Sequence, residues 1–222
     1  MIVADKKPVE EIIEHIKDKD RILILGCNEC VTVCEAGGKK EVAVLASTLR
    51  MYFLNQGQQK QIDERTLERQ CDHEYLEEIR DSADTYDAIV SLACGVGVQF
   101  TAETYMQLPV YPGVDTKFLG VTEERGVWTE RCQACGQCIL AETAGICPVS
   151  RCAKRLLNGP CGGATQGHCE INPELPCAWQ LIIDRLKALD RLDDYAKLTP
   201  IKDWSTERAG GPRKVVREDV QS

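Results

Sequence analysis

The segment RILILGCNECVTVC, residues 21–34, decides how the first half of the chain is read. It opens with a short apolar run closed by glycine, which has the length and boundary of a buried strand rather than of a helix. Cys27, Cys30 and Cys34 follow at once, on the loop that leaves this strand. Upstream, VEEIIEHIKD (9–18) sets Ile12, Ile13 and Ile16 on one helical face. Downstream, beyond Gly37 and Gly38, Val42, Leu45, Ala46 and Leu49 recur at helical spacing.

The same alternation continues. A second strand is expected through RTLERQC (65–71), a helix through HEYLEEIRDSAD (73–84), a third strand through DAIVSLACG (87–95) and a helix through VQFTAETYMQL (98–108). Charged residues 63–69 read as a solvated face. Strands alternating with helices imply a parallel sheet with crossover connections. The expected fold class is therefore α/β, a small Rossmann-like parallel-sheet domain over residues 1–122. An irregular cysteine-rich module with a C-terminal helix follows over 123–205, then a polar, flexible tail over 206–222.

In a parallel sheet the ligand crevice lies at the carboxyl ends of the strands. Cys27, Cys30, Cys34, Cys71 and Cys94 all fall at such ends, so they can converge although they span nearly seventy residues. Four thiols suffice for one site. Cys27, Cys30, Cys34 and Cys94 are the expected metal ligands, with Cys71 lining the same pocket as the thiol left over; a five-thiol pocket without metal is the plain alternative. Gly95 and Gly97 would let the backbone approach the bound group. GVGVQF does not have the G-x-G-x-x-G spacing, and the first loop carries cysteines where a dinucleotide site carries glycines, so no nucleotide is expected.

After Gly120 the composition shifts to cysteine, glycine and proline. In RCQACGQCILAETAGICPVSRC (131–152), Cys132, Cys135 and Cys138 form C-x2-C-x2-C. That spacing lets one tight loop present three thiolates to a [4Fe–4S] cubane, whereas zinc sites usually show two C-x2-C pairs. A bacterial ferredoxin places Cys-Pro three residues after such a triplet; here eight residues intervene before Cys147 and Pro148. Cys147, Cys152, Cys161, Cys169 and Cys177 complete eight thiols in this segment, enough for two four-cysteine sites whose pairing spacing does not give. Of these, Cys177, at the start of a helix, reads equally as a small buried hydrophobe and is left out of the metal set. His168 reads as an exposed loop histidine. CAWQLIIDRLKALDRLDDYAKL (177–198) is amphipathic, with Leu181, Ile182, Leu186 and Leu189 in register.

Composition narrows the function further. A chain of 222 residues does not need covalent staples, and its thirteen cysteines, with no apolar leader and no span in the sequence, suggest a cytoplasmic protein with metal or redox chemistry rather than disulfides. A net charge of −8 without a basic stripe argues against nucleic acid, and no membrane insertion is expected. With His15, His73 and His168 as the only histidines, and neither G-x-S-x-G nor a P-loop, no catalytic residue is assigned. Tyr105, Trp128, Trp179 and Trp204 read as packing residues.

The run CPVSRCAKRLLNGPCGG (147–163), with PCAWQLI (176–182), resembles the cysteine-rich C-terminal module of methylenetetrahydrofolate reductases from anaerobic bacteria. Together with GCNECVTVCEAGG (26–38) and SLACGVGVQ (91–99), the chain from about residue 20 to about 205 resembles the MetV-type iron–sulfur subunit of the acetogen reductase. The resemblance implies an iron–sulfur oxidoreductase subunit, and the thirteen thiols allow at least two [4Fe–4S] clusters, with enough for three, and zinc as an alternative at one four-cysteine site. It implies a flavin-bearing (β/α)8 partner that reduces 5,10-methylene- to 5-methyl-tetrahydrofolate in the methyl branch of the Wood–Ljungdahl pathway. The upstream donor would be a ferredoxin, a flavodoxin or a heterodisulfide-reductase-like complex. The chain is too short to be that barrel itself. The competing readings are a zinc-stabilised assembly module and an electron-transfer subunit of another complex, heterodisulfide-reductase-like or corrinoid-dependent.

Overall fold

The computed structural model describes residues 1–197 and 200–220, and the chain divides into two units, Met1–Thr129 and Glu130–Ser222. The first contains β1 (Ile2–Lys6), α1 (Val9–Ile16), β2 (Arg21–Cys27), α2 (Cys30–Val33), α3 (Lys39–Asn55), β3 (Gln61–Leu67), α4 (His73–Leu76), α5 (Arg80–Ala83), β4 (Ala88–Ser91), α6 (Gly95–Thr104), β5 (Val110–Pro112) and β6 (Val114–Glu124). A hairpin turn at Gly126 leads from β6 into β7 (Val127–Cys132). Four strands form a parallel sheet in the order β3-β2-β4-β5, and β1, β6 and β7 form a second sheet in which β1 and β6 run antiparallel. The fold is α/β.

The apolar run in β2 is what places helices on both faces. Successive side chains of a strand point to opposite sides. Ile22 and Ile24 therefore enter one core with Ile12 and Ile16 of α1 and with Val42, Leu45, Ala46 and Leu49 of α3. Leu23 and Leu25 enter the other, with Leu67, Leu76, Ile79 and Ile89. All four β2 side chains are fully buried, each stabilising the unit by about 1.5–3 kcal/mol.

Several boundaries differ from the pattern reading. β3 begins at Gln61 and ends at Leu67, so Cys71 lies four residues beyond it. Only Ile62 and Leu67 of this strand are buried, and its charged edge-strand face hides the strand from an apolar-run criterion. Cys94 lies three residues past β4 and is the N-cap of α6. The helix expected at 73–84 is α4, a 3-10 turn at Glu77–Ile79 and α5. β1 and the β6–β7 hairpin were not foreseen, because Ile2 pairs with Leu119 and nothing local marks so distant a partner. Residue 122, the expected domain boundary, lies inside β6.

The second unit has little regular structure: α7 (Pro148–Arg151), α8 (Ala178–Ala188) and a few 3-10 turns. Its core is small, Trp179, Ile182 and Leu186 of α8 packing with Ala144. Leu189, expected on the apolar stripe, is half exposed just past the helix end. Trp179 is buried and its Nε1–H donates to the Leu156 carbonyl at 2.9 Å.

Candidate metal centres

At the carboxyl edge of the parallel sheet, β2 is flanked by β3 and β4, and the three strand exits carry Cys27, Cys71 and Cys94. Cys27 ends β2 and is buried, with its thiol 3.7 Å from the Glu68 carbonyl oxygen. Desolvation pushes its pKa up, and the neighbouring Cys71 and Cys94 add to the rise. Cys71 is likewise raised, first by desolvation and then by Cys94, while Arg69 pulls it down. Each of the three thus stands within electrostatic reach of the others.

Cys34, 5% exposed, belongs to the same core as Cys27, which is 7% exposed, but lies against β1. The Ala4 N–H donates to its sulfur at 3.5 Å, and the thiol is 3.6 Å from the Ala4 and Val31 carbonyl oxygens. The β1–β6 register shifts between Val3 and Ala4, so the cysteine serves backbone groups at an irregular point of that ladder. Burial pushes its thiol up, with Cys30 a lesser contributor. Cys30 begins α2 and is half-buried.

Two close approaches shape this edge. A Cβ on Gly37 would come within 1.9 Å of the Leu92 carbonyl oxygen, so the loop after β2 touches the exit of β4. A Cβ on Gly97 would meet Ala93 and Gln70 at 2.7 and 3.0 Å. Gly97 therefore lets α6 pack on the loops that carry Cys71 and Cys94. At Gly95 an added Cβ would meet only Thr116, at ordinary contact distance.

In the second unit, Cys152, Cys161, Cys169 and Cys177 line one small cavity together with Lys154 and Glu170. α7 ends at Arg151, which places Cys152 at its C-cap. Cys169 and Cys177 are held on one tight hairpin, where the Cys169 N–H donates to the Leu175 carbonyl and the Cys177 N–H to that of Gly167, at 2.9 and 2.8 Å. Cys161 donates to Glu170 Oε1 at 3.2 Å, and the same carboxylate pairs with Lys154. Lys154 first, then Cys161, hold the Glu170 carboxyl below its usual range. Cys177, set aside on sequence grounds, thus stands with three expected ligands. Its signal was present in the sequence as Pro-Cys at a helix start.

Cys132 ends β7, and Cys135 and Cys138 follow on a loop with Ala134 and Gly136 in the left-handed region. This loop is overlaid by the segment after α8. Lys202 Nζ donates to the Gln137 carbonyl at 2.8 Å, Thr206 Oγ1 to that of Cys135 at 3.0 Å, and Arg213 to that of Ala134 at 2.6 Å. Thr206 and Arg213 belong to the stretch 206–222 expected as a flexible tail. Ser150 Oγ donates to the Arg131 carbonyl at 2.8 Å, tying α7, whose N-cap is Cys147, to the start of the triplet. His168 is exposed.

Among the described residues no group of three or more His, Cys, Asp or Glu side chains is placed to hold a metal ion, and no helix is long and apolar enough to cross a membrane. The donor set at the cavity, four cysteines with a lysine beside them, fits a thiolate-bound iron–sulfur group, which takes each thiolate on a different iron.

Residues 111–205 match the family model described as methylene-tetrahydrofolate reductase C terminal. This part of the chain, which contains all eight cysteines from Cys132 to Cys177, is therefore similar to the C-terminal region of such reductases. No curated protein and no solved structure matches the chain.

Proposed function

We propose that the chain is an iron–sulfur electron-transfer subunit working with a flavin-bearing methylenetetrahydrofolate reductase subunit. The observation that carries this reading is the convergence of Cys152, Cys161, Cys169 and Cys177 on one cavity, inside the segment similar to reductase C termini. The remaining four, Cys132, Cys135, Cys138 and Cys147, then make a second set, with Cys147 brought toward the triplet by the Ser150–Arg131 hydrogen bond.

Iron–sulfur groups at these sites would supply one-electron transfer at potentials set by charge, hydrogen bonding and exposure. The chain's own residues set those conditions. Lys154 lies at the wall of the four-cysteine cavity, paired with Glu170, and Lys202 is buried against the backbone of the triplet loop. Trp179 closes one side of the cavity. Gly136 lets the backbone turn between Cys135 and Cys138. Neither sheet is a (β/α)8 barrel, and on this reading folate and flavin chemistry belongs to a partner of that fold, with a ferredoxin, a flavodoxin or a heterodisulfide-reductase-like complex upstream.

Anaerobic purification with iron, zinc and sulfide quantification and EPR of the reduced chain tests the clusters; a colourless protein containing zinc alone would refute them and support an assembly module. Co-purification tests the partner. A tight complex with an enzyme that carries no flavin, such as a corrinoid protein, would refute the folate assignment.

A further inference from the structure

The 17-residue helix α3 is apolar on the face it buries and apolar again on the face it shows. Val42, Leu45, Ala46, Leu49 and Phe53 turn to the core. On the α-helical repeat the direction opposite them is held by Lys40, Val44, Ser47, Met51 and Leu54, and of these Val44, Met51 and Leu54 are 58%, 60% and 69% exposed. The outward face of a surface helix is ordinarily polar, and a helix that is apolar all round is a covered one. These outward residues recur at alternating intervals of four and three, the spacing of a seam on which another helix packs.

Three features of the first unit specify that other helix. Lys39 and Lys40 occupy the first turn of α3, where the partial positive charge of the helix end disfavours cations, and neither has an ion-pair partner among the described residues. The last turn of α3, where cations are favoured, carries no basic residue. An antiparallel neighbour with the same sequence answers both, because each pair of lysines then lies beside the C-terminal carbonyls of the other helix. The second feature is a cavity of about 90 Å³ beside Val44, whose lining includes Val9 and Ile12 of α1 and Leu45 and Thr48 of α3. The Thr48 hydroxyl is taken up by the Val44 carbonyl at 2.9 Å, so this wall stays apolar. The third is register. An antiparallel pair centred between residues 47 and 48 sets Val44 of each copy against Met51 of the other, at the rim of that cavity, and the small Ser47 at the crossing lets the helices approach closely.

We propose that the outward face of α3 is a self-association surface, on which a second copy of this chain lays its own α3 antiparallel, each Met51 entering the other copy's cavity beside Val44. Such a contact is isologous, the same patch serving both copies about a twofold axis. Methionine suits the role, since its unbranched thioether adapts to an irregular apolar hole. Leu54 packs in the same register against the aliphatic stem of the second copy's Lys40. All these residues belong to the first unit and none is a cysteine, so the assignment does not rest on the iron–sulfur reading.

The test is sedimentation equilibrium over a concentration series on the full chain, purified anaerobically, comparing the parent with Val44→Glu, Met51→Lys and the double variant that carries both. Val44 and Met51 face solvent in the single chain, so these replacements leave its core intact. The parent is expected to reach twice the chain mass. Each single variant buries an unpaired charge in the seam and should raise the dissociation constant at least about tenfold. In the double variant the antiparallel register brings the new carboxylate of one copy to the new ammonium of the other, and association should recover relative to both single variants. A surface that is merely adhesive would not show that recovery. A parent that is monomeric at every concentration, a dimer indifferent to both single replacements, or a double variant that associates no better than the single ones would each overturn the assignment.

Discussion

Ser91 at the end of β4 donates its hydroxyl to Oε1 of Gln70 at 2.6 Å, and both residues are fully buried. Gln70 Nε2 in turn donates to the carbonyls of Leu25 and Gly26 at 2.9 and 3.0 Å, and Oε1 also accepts from Thr101 of α6 at 3.3 Å. One side chain thus ties the exits of β2 and β4 to α6, immediately before Cys71. Gln70→Leu would remove the side-chain donor from the Leu25 and Gly26 carbonyls and the acceptor of the buried Ser91 and Thr101 hydroxyls, and should cost about 2–4 kcal/mol. Ser91→Ala, which leaves Thr101 on Oε1, should cost only about 1 kcal/mol. Denaturant unfolding of both variants checks the order; equal losses would contradict the clamp.

Lys202 is 5% exposed, donates to the Gln137 carbonyl and lies 4.8 Å from the ring centroid of Trp204. A buried ammonium favours the more negative, reduced state of a nearby redox group. Lys202→Met is therefore expected to lower the midpoint potential of the cluster proposed at Cys132, Cys135 and Cys138, and Lys202→Arg to preserve it. EPR-monitored redox titration measures this. A Lys202→Met potential equal to that of the parent would show the lysine to be only a packing element.

On the proposed function, removing iron is expected to affect the two units unequally. The core of the second unit rests on Trp179, Ile182, Leu186 and Ala144, whereas the first buries both faces of β2. With so small a core, the proposed clusters would carry much of the second unit's order. Hydrogen exchange after chelation should show loss of protection across residues 147–188, with β2 and β4 amides still protected. Uniform loss, or none, would be the contrary result.

Asp87 accepts hydrogen bonds from the backbone N–H groups of Arg21 and Asp20, at 2.8 and 3.1 Å, at the start of β2. These bonds hold its carboxyl below the usual 3.8, with the Arg21 charge a lesser cause. A lowered folded-state pKa contributes stability that is present above the unfolded value and is lost as pH falls through the folded one. Asp87→Ala should therefore melt at a lower temperature than the parent at pH 7, and the gap should shrink as pH falls below about 4. A gap that is constant from pH 7 to pH 2 would count against the ionised form as the stabilising one.

Much of the first unit was legible in local pattern. The run RILILG is a strand because its length and closing glycine leave no other element, and Ile12, Ile16, Val42 and Leu49 announce helices by spacing. β3 was misplaced because Asp63, Glu64 and Arg65 leave this edge strand without an apolar run, and β1 was missed because its partner lies more than a hundred residues away. The triplet at Cys132 was visible as a spacing; that residues 202–213 cover it was not, since hydrogen bonds from Lys202 and Arg213 to loop carbonyls have no sequence signature.

The order of residues by itself determined the α/β class and the placing of cysteines on strand exits and on a proline- and glycine-rich segment, because apolar period and turn chemistry are local properties. Tertiary structure decided which thiols are neighbours. Cys27 is nearer in sequence to Cys34 than to Cys71 or Cys94, yet the strand order β3-β2-β4 sets it beside the latter two, while Cys34, in the same core, is taken up by backbone groups of Ala4 and Val31. In the same way Cys177 joins Cys152, Cys161 and Cys169 only through the hairpin and α8 that bring it to their cavity. Proximity in both cases is a product of long-range packing, which spacing along the chain does not encode.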